Sequence, residues 1–371
     1  MYNIHSHYEN ILAYTNSIVA QPTVVYLHPF GTTQPENIEA LQNSGFGPLV
    51  IAYDQEPLHY HYNKPLFEYI NENFKNDDGL RRPIILLNTE KHSIEKNKIL
   101  EAFDFKDANY FFHGLAAADW YRGYQYNSKL ISPSNRKITK KFITFNRITG
   151  NSRCYRSFFI AELIKNKLTD SANISYSEIC PVHGHYRQNL LESIIKYNID
   201  PLYVEETCSY LDTIINPFRI DFKDKIFNDS QSIGPISALQ ESFLHVVTET
   251  CFWDDKTHLT EKIFKPIVAK QPFVLLGCHN NLKYLQSYGF KTFNNWWDES
   301  YDEISDPIQR LNKVIEIVKE ICSLPNKDLE AMLNGMNHVL QDNYDLFFSK
   351  KFIDNIWHEM TANLQSAVSQ L

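Results

Sequence analysis

Short apolar runs alternate with amphipathic stretches along the whole chain. In the first half, the runs with the length and continuous apolar character of buried strands are residues 23–27, 48–53, 83–87 and 109–113. The stretches with helical spacing between them are residues 37–44, 64–74 and 93–103. Strands that alternate with helices are joined by crossover connections, and this arrangement produces a parallel sheet covered on both faces.

The second half repeats this pattern and ends in helices. Its predicted strands are residues 141–145, 243–248 and 272–276. Its predicted helices are residues 154–167, 281–288, 306–321, 327–340 and 343–370. The polar, basic stretch SPSNRKITKK at 132–141 has the composition of a linker. We therefore predict an α/β protein with two Rossmann-like lobes, at 1–135 and 136–345, and a C-terminal helix at 346–371 that crosses back to the first lobe.

Composition narrows the class of protein. The 371 residues suit two domains, and 22 Tyr and 24 Phe supply large apolar cores. The net charge of −8 argues against a protein dedicated to gripping a phosphate backbone. Six scattered cysteines are typical of reduced thiols, and neither a signal-peptide pattern nor a run of about 18 apolar residues is present. We expect a cytoplasmic protein without a membrane span.

Candidate site residues are most concentrated in the segment HLTEKIFKPIVAKQPFVLLG at 258–277. Thr260 can cap a helix whose first turn holds Glu261 and Lys262, and the N-terminal end of a helix suits a diphosphate. Lys265 lies three positions after Lys262, on a neighbouring position of one face. Pro266 predicts a short or kinked helix. A capped helix with surface charges has the same pattern, so the pattern alone leaves both interpretations open.

Two further groups of polar residues follow predicted strands. Glu249 ends the strand that precedes Thr260 and is placed to face a ligand. Arg147, Arg153 and Arg156 follow the strand at 141–145. In open α/β sheets ligands bind at the carboxyl ends of strands, so Glu249 is a candidate donor contact. Arg147 and Arg153 either join a phosphate cluster or are solvated surface.

The Thr-Glu-Lys segment at 260–262 resembles the donor-site motif of the α-1,3-fucosyltransferases, a family with the two-lobed GT-B fold. The segment FITFNRITGNSRCYRSFFIAELIK at 142–165 is similar to that family's strand, polar loop and Arg before a Glu-Leu pair. VIAYDQEPL at 50–58 resembles the segment that holds the family's catalytic Glu near a Pro. The resemblance implies that Arg156 and Lys262 bind phosphate and Glu261 binds ribose. It also implies that Glu56 is the base, with Asp54 as the second choice.

The chain is also similar to glycosyltransferases encoded by myovirus-type bacteriophages. The shared features are DQEP, an Asn-Arg strand end, TEK-F-KPI followed by PF, and GFKTF before DESYD, with the closest similarity over 248–310. The fucosyltransferases' segment rich in Tyr, Arg and Asp is missing here, so the sugar is not implied. Two acceptors remain open: a glycan, or a hydroxymethylated base in phage DNA.

An inverting transfer needs a base, a stabilised leaving diphosphate and a sugar held for in-line attack. The sequence contains no Asp-x-Asp motif of the kind that holds Mg²⁺ or Mn²⁺ in other glycosyltransferases. We therefore predict a metal-independent glycosyltransferase that needs no cofactor and takes a nucleotide-sugar as co-substrate. The alternative is a non-catalytic nucleotide- or sugar-binding module that kept the fold and lost the chemistry.

Several other residues support competing interpretations. The rival bases are His59, His61 and His113. Cys180, His183 and His185 have a spacing that suits zinc, although Pro and Gly between them also predict a turn. The acidic run DESYDEISD at 298–306 either contacts a sugar or caps the next helix, and the preceding Trp296 and Trp297 either stack on a ligand or pack in the core.

Overall fold

The computed structural model describes residues 3–27, 46–75, 79–126, 132–218, 220 and 231–371, together with the backbone of 38–40. The strands are β1 (Thr23–Leu27), β2 (Ile38–Ala40), β3 (Leu49–Tyr53), β4 (Ile84–Asn88), β5 (Lys106–Asn109), β6 (Lys140–Asn146), β7 (Ala172–Tyr176), β8 (Ile179–Cys180), β9 (Gly184–His185), β10 (Ser242–Thr248) and β11 (Phe273–Leu276). The helices are α1 (His7–Ile18), α2 (Tyr60–Asn73), α3 (Ile94–Phe103), α4 (Phe112–Trp120), α5 (Tyr155–Lys165), α6 (Tyr186–Tyr197), α7 (Pro201–Leu211), α8 (Ile236–Glu241), α9 (Phe264–Val268), α10 (Asn281–Ser287), α11 (Pro307–Ser323), α12 (Asn326–Phe347) and α13 (Lys350–Val368).

The chain folds into two compact units. Unit 1 consists of Met1–Asp119, Asp255–His258 and Ser349–Leu371, and unit 2 consists of Trp120–Asp254 and Leu259–Phe348. The first boundary thus lies sixteen residues before the predicted one at 135. The reason is burial that composition does not reveal: Tyr121, Pro133 and Ile138 are all buried, although 132–141 has the composition of a linker. The short piece of unit 1 at 255–258 has no counterpart in the sequence prediction.

Unit 1 is built on a five-stranded sheet in the order β2-β1-β3-β4-β5. β1, β3, β4 and β5 are parallel, and β2 is antiparallel to β1 at the edge. Every residue of β3 and β4 is buried, because helices cover both faces of the sheet. The predicted helix at 37–44 is wrong where it can be checked, since Ile38–Ala40 is a strand; the rest of that range lies outside the described residues.

The predicted strand at 109–113 is also wrong. β5 ends at Asn109, and Phe112 begins helix α4, whose residues from Phe112 to Asp119 are all buried. A Cβ atom added to Gly114 would lie 2.8 Å from the Ile356 side chain of α13, so the glycine allows these two helices to approach closely. Packing against α13, rather than the local apolar pattern, decides the conformation here.

Unit 2 contains a four-stranded, fully parallel sheet in the order β11-β10-β6-β7. The chain forms β6 first, adds β7 on one side, and then returns to add β10 and β11 on the other side. The direction of winding therefore reverses between β6 and β10. Together with the parallel sheet of unit 1 and the C-terminal helices, this topology confirms the predicted α/β fold class.

Helices end the chain as predicted, with one break. Asp306 caps α11, and its carboxylate accepts from Gln309 N. The predicted helix at 343–370 is interrupted at 348–349, where α12 ends and the Ser349 hydroxyl caps α13 by accepting from Phe352 N at 3.2 Å. Among the helices of the described ranges, none combines the length and the apolar character needed to cross a bilayer.

Candidate functional site

The reversal of winding in unit 2 brings two polar strand ends together. Asn146 ends β6 and Thr248 ends β10, and the Thr248 hydroxyl donates to the Asn146 side-chain oxygen at 3.0 Å. Crevices at such switch points are where open α/β sheets bind ligands. Most of the residues predicted to bind a donor lie on the loops that follow these two strands.

Glu249, the first residue after β10, is fully buried. Its Oε1 accepts from Thr260 N at 3.3 Å, and its Oε2 accepts from Thr250 N at 3.1 Å and from the Thr260 hydroxyl at 2.5 Å. Burial raises the pKa of Glu249, while the nearby Lys262 ammonium and these hydrogen bonds oppose the rise. Glu249 therefore organises the turn between Thr250 and Thr260 with oxygens that already have protein donors.

Thr260 caps the following turn, as predicted. Its hydroxyl accepts from Lys262 N at 3.4 Å, at the start of a 3₁₀ turn (Glu261–Ile263) that continues into α9. The α-helix has only five residues and contains Pro266, so the predicted short helix is confirmed. Few peptide dipoles add up in so short a helix, and the predicted dipole contribution to anion binding is correspondingly small.

The ammonium group of Lys262 is held in a polar cradle. Its Nζ lies 3.2 Å from the hydroxyl oxygens of both Thr250 and Thr260, and 2.9 Å from Glu261 Oε1. The Lys262 side chain is 28% exposed, so the charge is partly open to solvent. A cation held by two hydroxyls and the Glu261 carboxylate, and partly open to solvent, can meet an anionic ligand with little loss of side-chain entropy.

Arg156, on α5, is buried against the same strand ends. Its guanidinium donates to the carbonyl oxygens of Thr248 at 2.7 Å, Glu249 at 3.0 Å and Ile148 at 2.9 Å. The side chain therefore ties the carboxyl end of β10 to the loop after β6, a role that the sequence did not indicate. Arg156 and Lys262 come from separate elements and bind consecutive parts of the 248–250 segment.

The remaining predicted cations occupy different surroundings. Arg147 is exposed directly after β6. Arg153 is half-buried in a 3₁₀ turn (Asn151–Arg153). Burial of the His183 imidazole lowers its pKa, and the positive charge of Arg153 lowers it further. The Lys265 ammonium donates to the carbonyl of Ser232 at 2.6 Å, whereas Lys262 is held by hydroxyls. The structure thus places Arg156, Glu249, Thr260, Glu261 and Lys262 in one cluster but does not bring Lys265 to the partners of Lys262.

In unit 1, Asp54 follows β3 and is buried. Its Oδ1 accepts from the Tyr8 hydroxyl at 2.9 Å, its Oδ2 accepts from the Tyr110 hydroxyl, and His7 Nε2 lies 3.8 Å from Oδ2. A buried carboxylate with three such partners anchors the loop that it begins. This position disfavours Asp54 as the second choice of base.

Glu56 is half-buried in the loop between β3 and α2. The loop is fixed beside it, because His113 Nε2 lies 3.0 Å from the Gln55 carbonyl oxygen and Leu58 N donates to Glu90 Oε1 at 2.7 Å. The rival base His113 thus lies in the core, in contact with the loop backbone. Among the other rivals, His59 precedes α2 and His61 is exposed on its first turn.

The acidic run at 298–306 has a structural role. Glu299 accepts from Phe293 N at 2.7 Å, and Asp302 accepts from Leu282 N at 2.8 Å and Lys283 N at 3.0 Å, at the start of α10. Trp297 is buried beside Phe293. These contacts favour the capping and packing interpretations over contact with a ligand.

Cys180, Gly184 and His185 lie in the small β8–β9 hairpin. Within the described ranges, no group of three or more His, Cys, Asp or Glu side chains is arranged to hold a metal ion. The alternative of a zinc site at Cys180, His183 and His185 therefore has no support from the described geometry.

Sequence reasoning missed three residues that shape the two loops. Thr250 was detectable, because it follows Glu249 at a strand end. Glu90 and Lys256 form a fully buried ion pair at 3.3 Å, but they are 166 positions apart and belong to no motif. Only the folded chain shows that they meet.

Comparisons with known proteins do not assign a function to this site. No family model matches the chain, and no curated protein matches it. The chain is similar in structure to the N-terminal domain of trehalose-6-phosphate phosphatase from Candida albicans, with 8% identity and a TM-score of 0.37, over 86% of this chain and 71% of that chain. At that level of similarity, the fold assignment rests on the strand topology described above.

Proposed function

We propose that this chain is a glycosyltransferase that moves a sugar from a nucleoside-diphosphate donor to an acceptor hydroxyl, with inversion and without a metal ion. The observation that supports it best is the Lys262 ammonium, held by two threonine hydroxyls at the winding reversal of a parallel sheet. Ligands with phosphate groups are common at this position in open α/β sheets.

Each of four residues has a separate role in the transfer. The bond between the sugar and the diphosphate breaks, and Lys262 offsets the charge that develops on the leaving oxygen. Glu261, which is adjacent to Lys262 and mostly buried, accepts hydrogen bonds from ribose hydroxyls. Glu56 takes the proton of the acceptor hydroxyl as the new bond forms on the opposite face of the sugar. Arg156 holds the strand ends that carry this arrangement.

The acceptor is a glycan or a hydroxymethylated base in phage DNA, and both rest on the sequence resemblances. The reaction is metal-independent because Lys262 supplies the charge that a divalent ion supplies elsewhere, and the sequence has no Asp-x-Asp motif. We place the protein in the cytoplasm, since its six cysteines are scattered along the chain in a pattern typical of reduced thiols.

One observation favours the second candidate, a non-catalytic binding module. The Arg156 guanidinium already donates three of its five N–H groups to carbonyl oxygens, which leaves two for a phosphate. A module of this kind binds nucleotide without releasing sugar, so the two candidates differ in turnover rather than in affinity.

The test is release of free nucleoside diphosphate from a panel of UDP-, GDP- and dTDP-sugars, with glycan and hydroxymethylcytosine-containing DNA as acceptors. We expect release with at least one donor, unchanged by EDTA. In Lys262→Met we expect it to fall by about tenfold to a hundredfold, the worth of one charge-assisted hydrogen bond. Lys313→Met, at an exposed lysine paired with Glu316, is the control. Binding without turnover would favour the module, and no binding of any donor would overturn both candidates.

A further inference from the structure

A fully buried ion pair lies beside the loop that carries Glu56. Lys256 Nζ is 3.3 Å from Glu90 Oε1, and both side chains are completely shielded from solvent. Burial raises the pKa of Glu90, and the Lys256 ammonium opposes that rise. Buried ion pairs are weak sources of stability, because desolvation offsets much of their attraction. A pair in this position is better explained by a role in fixing one conformation of the loop than by a contribution to stability.

Both ions bind the backbone of the same residue. Glu90 Oε1 accepts from the N–H of Leu58 at 2.7 Å, and Lys256 Nζ donates to the Leu58 carbonyl oxygen. Leu58 is itself fully buried and lies two residues after Glu56. We call Lys256, Glu90 and Leu58 the loop clamp. It fixes one end of the loop, while the hydrogen bonds of Asp54 fix the other.

The lysine of the loop clamp comes from an unusual stretch of chain. Asp255–His258 belongs to unit 1, although the residues on either side of it belong to unit 2. Backbone hydrogen bonds hold it there: Thr257 N donates to His92 O at 2.8 Å, and Lys91 N donates to Thr257 O at 3.1 Å. Thr260, the first residue of the candidate donor motif, lies only four residues after Lys256.

Because Lys256 lies four residues before Thr260 in the chain, a ligand that binds at 260–262 can affect the loop clamp. A diphosphate that engages Lys262 would restrain residues 260–262, where the Thr260 hydroxyl and Glu261 now hold the ammonium. Restraint at 260 is passed along four peptide units to Lys256, and from Lys256 to the Leu58 carbonyl. A stretch of four peptide units is too short to absorb a large shift.

We infer that the loop clamp is a positioning device that couples nucleotide binding at Thr260–Lys262 to the conformation of the Glu56 loop. Glu90 and Lys256 act through Leu58 and touch no reacting atom. The inference rests on the proposed function, because it needs a nucleotide at Lys262. It goes further by stating that a bound donor adds restraint to the loop that carries the base.

Hydrogen-exchange mass spectrometry of the full chain tests this inference, with UDP and GDP as probes and their affinities measured by calorimetry. In the natural protein we expect the bound nucleotide to slow exchange in a peptide covering 54–60 by about threefold or more. In Lys256→Met we expect the nucleotide to bind within about threefold of its normal affinity, with the protection lost. We also expect kcat to fall by about tenfold while KM for the donor stays the same.

Arg82→Met is the matched control. Arg82 is a buried cation of unit 1 that donates to Gly47 O at 2.7 Å and to the Thr23 hydroxyl at 2.9 Å, before β4 rather than after it. Its loss should lower stability without removing the nucleotide-dependent protection of 54–60. Should Lys256→Met fail to fold, Glu90→Gln removes the charge with little change of shape, and we expect the same loss of protection.

The possible results distinguish a failure of the coupling from a failure of the proposed function. If nucleotide binds and turnover occurs, but exchange in 54–60 does not respond, the coupling is wrong and the glycosyltransferase assignment stands. A response that persists in both Lys256→Met and Glu90→Gln also overturns the coupling. If neither nucleotide nor any nucleotide-sugar binds, both fail together.

Discussion

Asp54 and Glu249 occupy similar places in the two units, yet their surroundings differ. Each follows a fully buried strand of a parallel sheet, and each is itself buried. Asp54 is held by the hydroxyls of Tyr8 and Tyr110, which are 46 and 56 positions away. Glu249 is held by groups of Thr250 and Thr260, which are 1 and 11 positions away.

The difference shows two ways of arranging structure around a site. The tyrosines lock Asp54 into the core of unit 1, and the candidate base is a separate residue, Glu56. In unit 2, the hydroxyl that binds Glu249 also holds the Lys262 ammonium. We therefore expect stability and function to be separable by mutation after β3 and inseparable after β10.

The largest effect should come from separating Glu56 from Asp54. We expect Glu56→Gln to lower the rate of transfer by about 10²- to 10⁴-fold, the worth of a general base, with little change in the free energy of unfolding. Asp54→Asn should instead lower that free energy by about 2 kcal/mol, because it weakens two buried hydrogen bonds. Turnover at saturating donor and urea denaturation measure the two quantities. An inactive Asp54→Asn of normal stability, beside an active Glu56→Gln, would reverse the assignment.

Removing the guanidinium of Arg156 should be the largest change in stability. Arg156→Met removes the guanidinium from three carbonyl oxygens at the strand ends, although the Glu249 oxygen keeps the Tyr155 hydroxyl as a donor. We expect a loss of about 3 kcal/mol in the free energy of unfolding. Arg187, exposed and paired with Asp212, is the control, and Arg187→Met should cause no measurable change. If urea denaturation gives equal midpoints for the two variants, Arg156 does not tie the strand ends together.

A smaller effect should link stability and binding at Thr260. Thr260→Val removes a hydroxyl that Glu249 and Lys262 share, and we expect a loss of about 1–2 kcal/mol in the free energy of unfolding. Nucleotide affinity should fall in the same variant. Thr260→Ser keeps the hydroxyl and should restore both. Normal nucleotide affinity in a destabilised Thr260→Val would show that the two roles are separable after all.

The smallest effect concerns pH. Burial raises the pKa of Glu249, so the folded chain holds that proton at a pH where the unfolded chain has lost it. The stability that this group contributes is complete below the unfolded-state pKa of about 4.3 and is lost as pH rises through the folded-state pKa. Glu249→Gln should therefore flatten the decline in melting temperature as pH rises above about 4.3, the unfolded-state pKa. An unchanged slope would contradict the raised pKa.

Much of the fold follows from the sequence because buried parallel strands leave a simple pattern. β1, β3, β4, β6, β10 and β11 lie within about a residue of the predicted runs. β7 (Ala172–Tyr176) was missed, since its buried and half-buried residues alternate and its run is short. The aromatic run at 109–113 suits a strand or a buried helix equally, and the close approach of α4 to α13 at Gly114 leaves no mark on the local pattern.

The candidate site was predictable where its contacts are local. The cap of Thr260 on its own turn could be inferred, because capping depends on a few neighbouring residues. The roles of Asp54 and Glu56 could not be distinguished, since the tyrosines that bind Asp54 are distant in sequence. Arg156 was expected to face phosphate, and only the folded structure shows its three carbonyl partners.

The composition of unit 1 from three separate stretches bears on how this protein can be divided. A fragment ending at Asp119 would lack Lys256, and Glu90 would be left buried without its counter-ion. The same fragment would lack α13, which packs on β5 at the edge of the sheet. Cutting the chain at one point therefore cannot yield two independent units. A variant that exchanges unit 1 would have to exchange all three of its stretches.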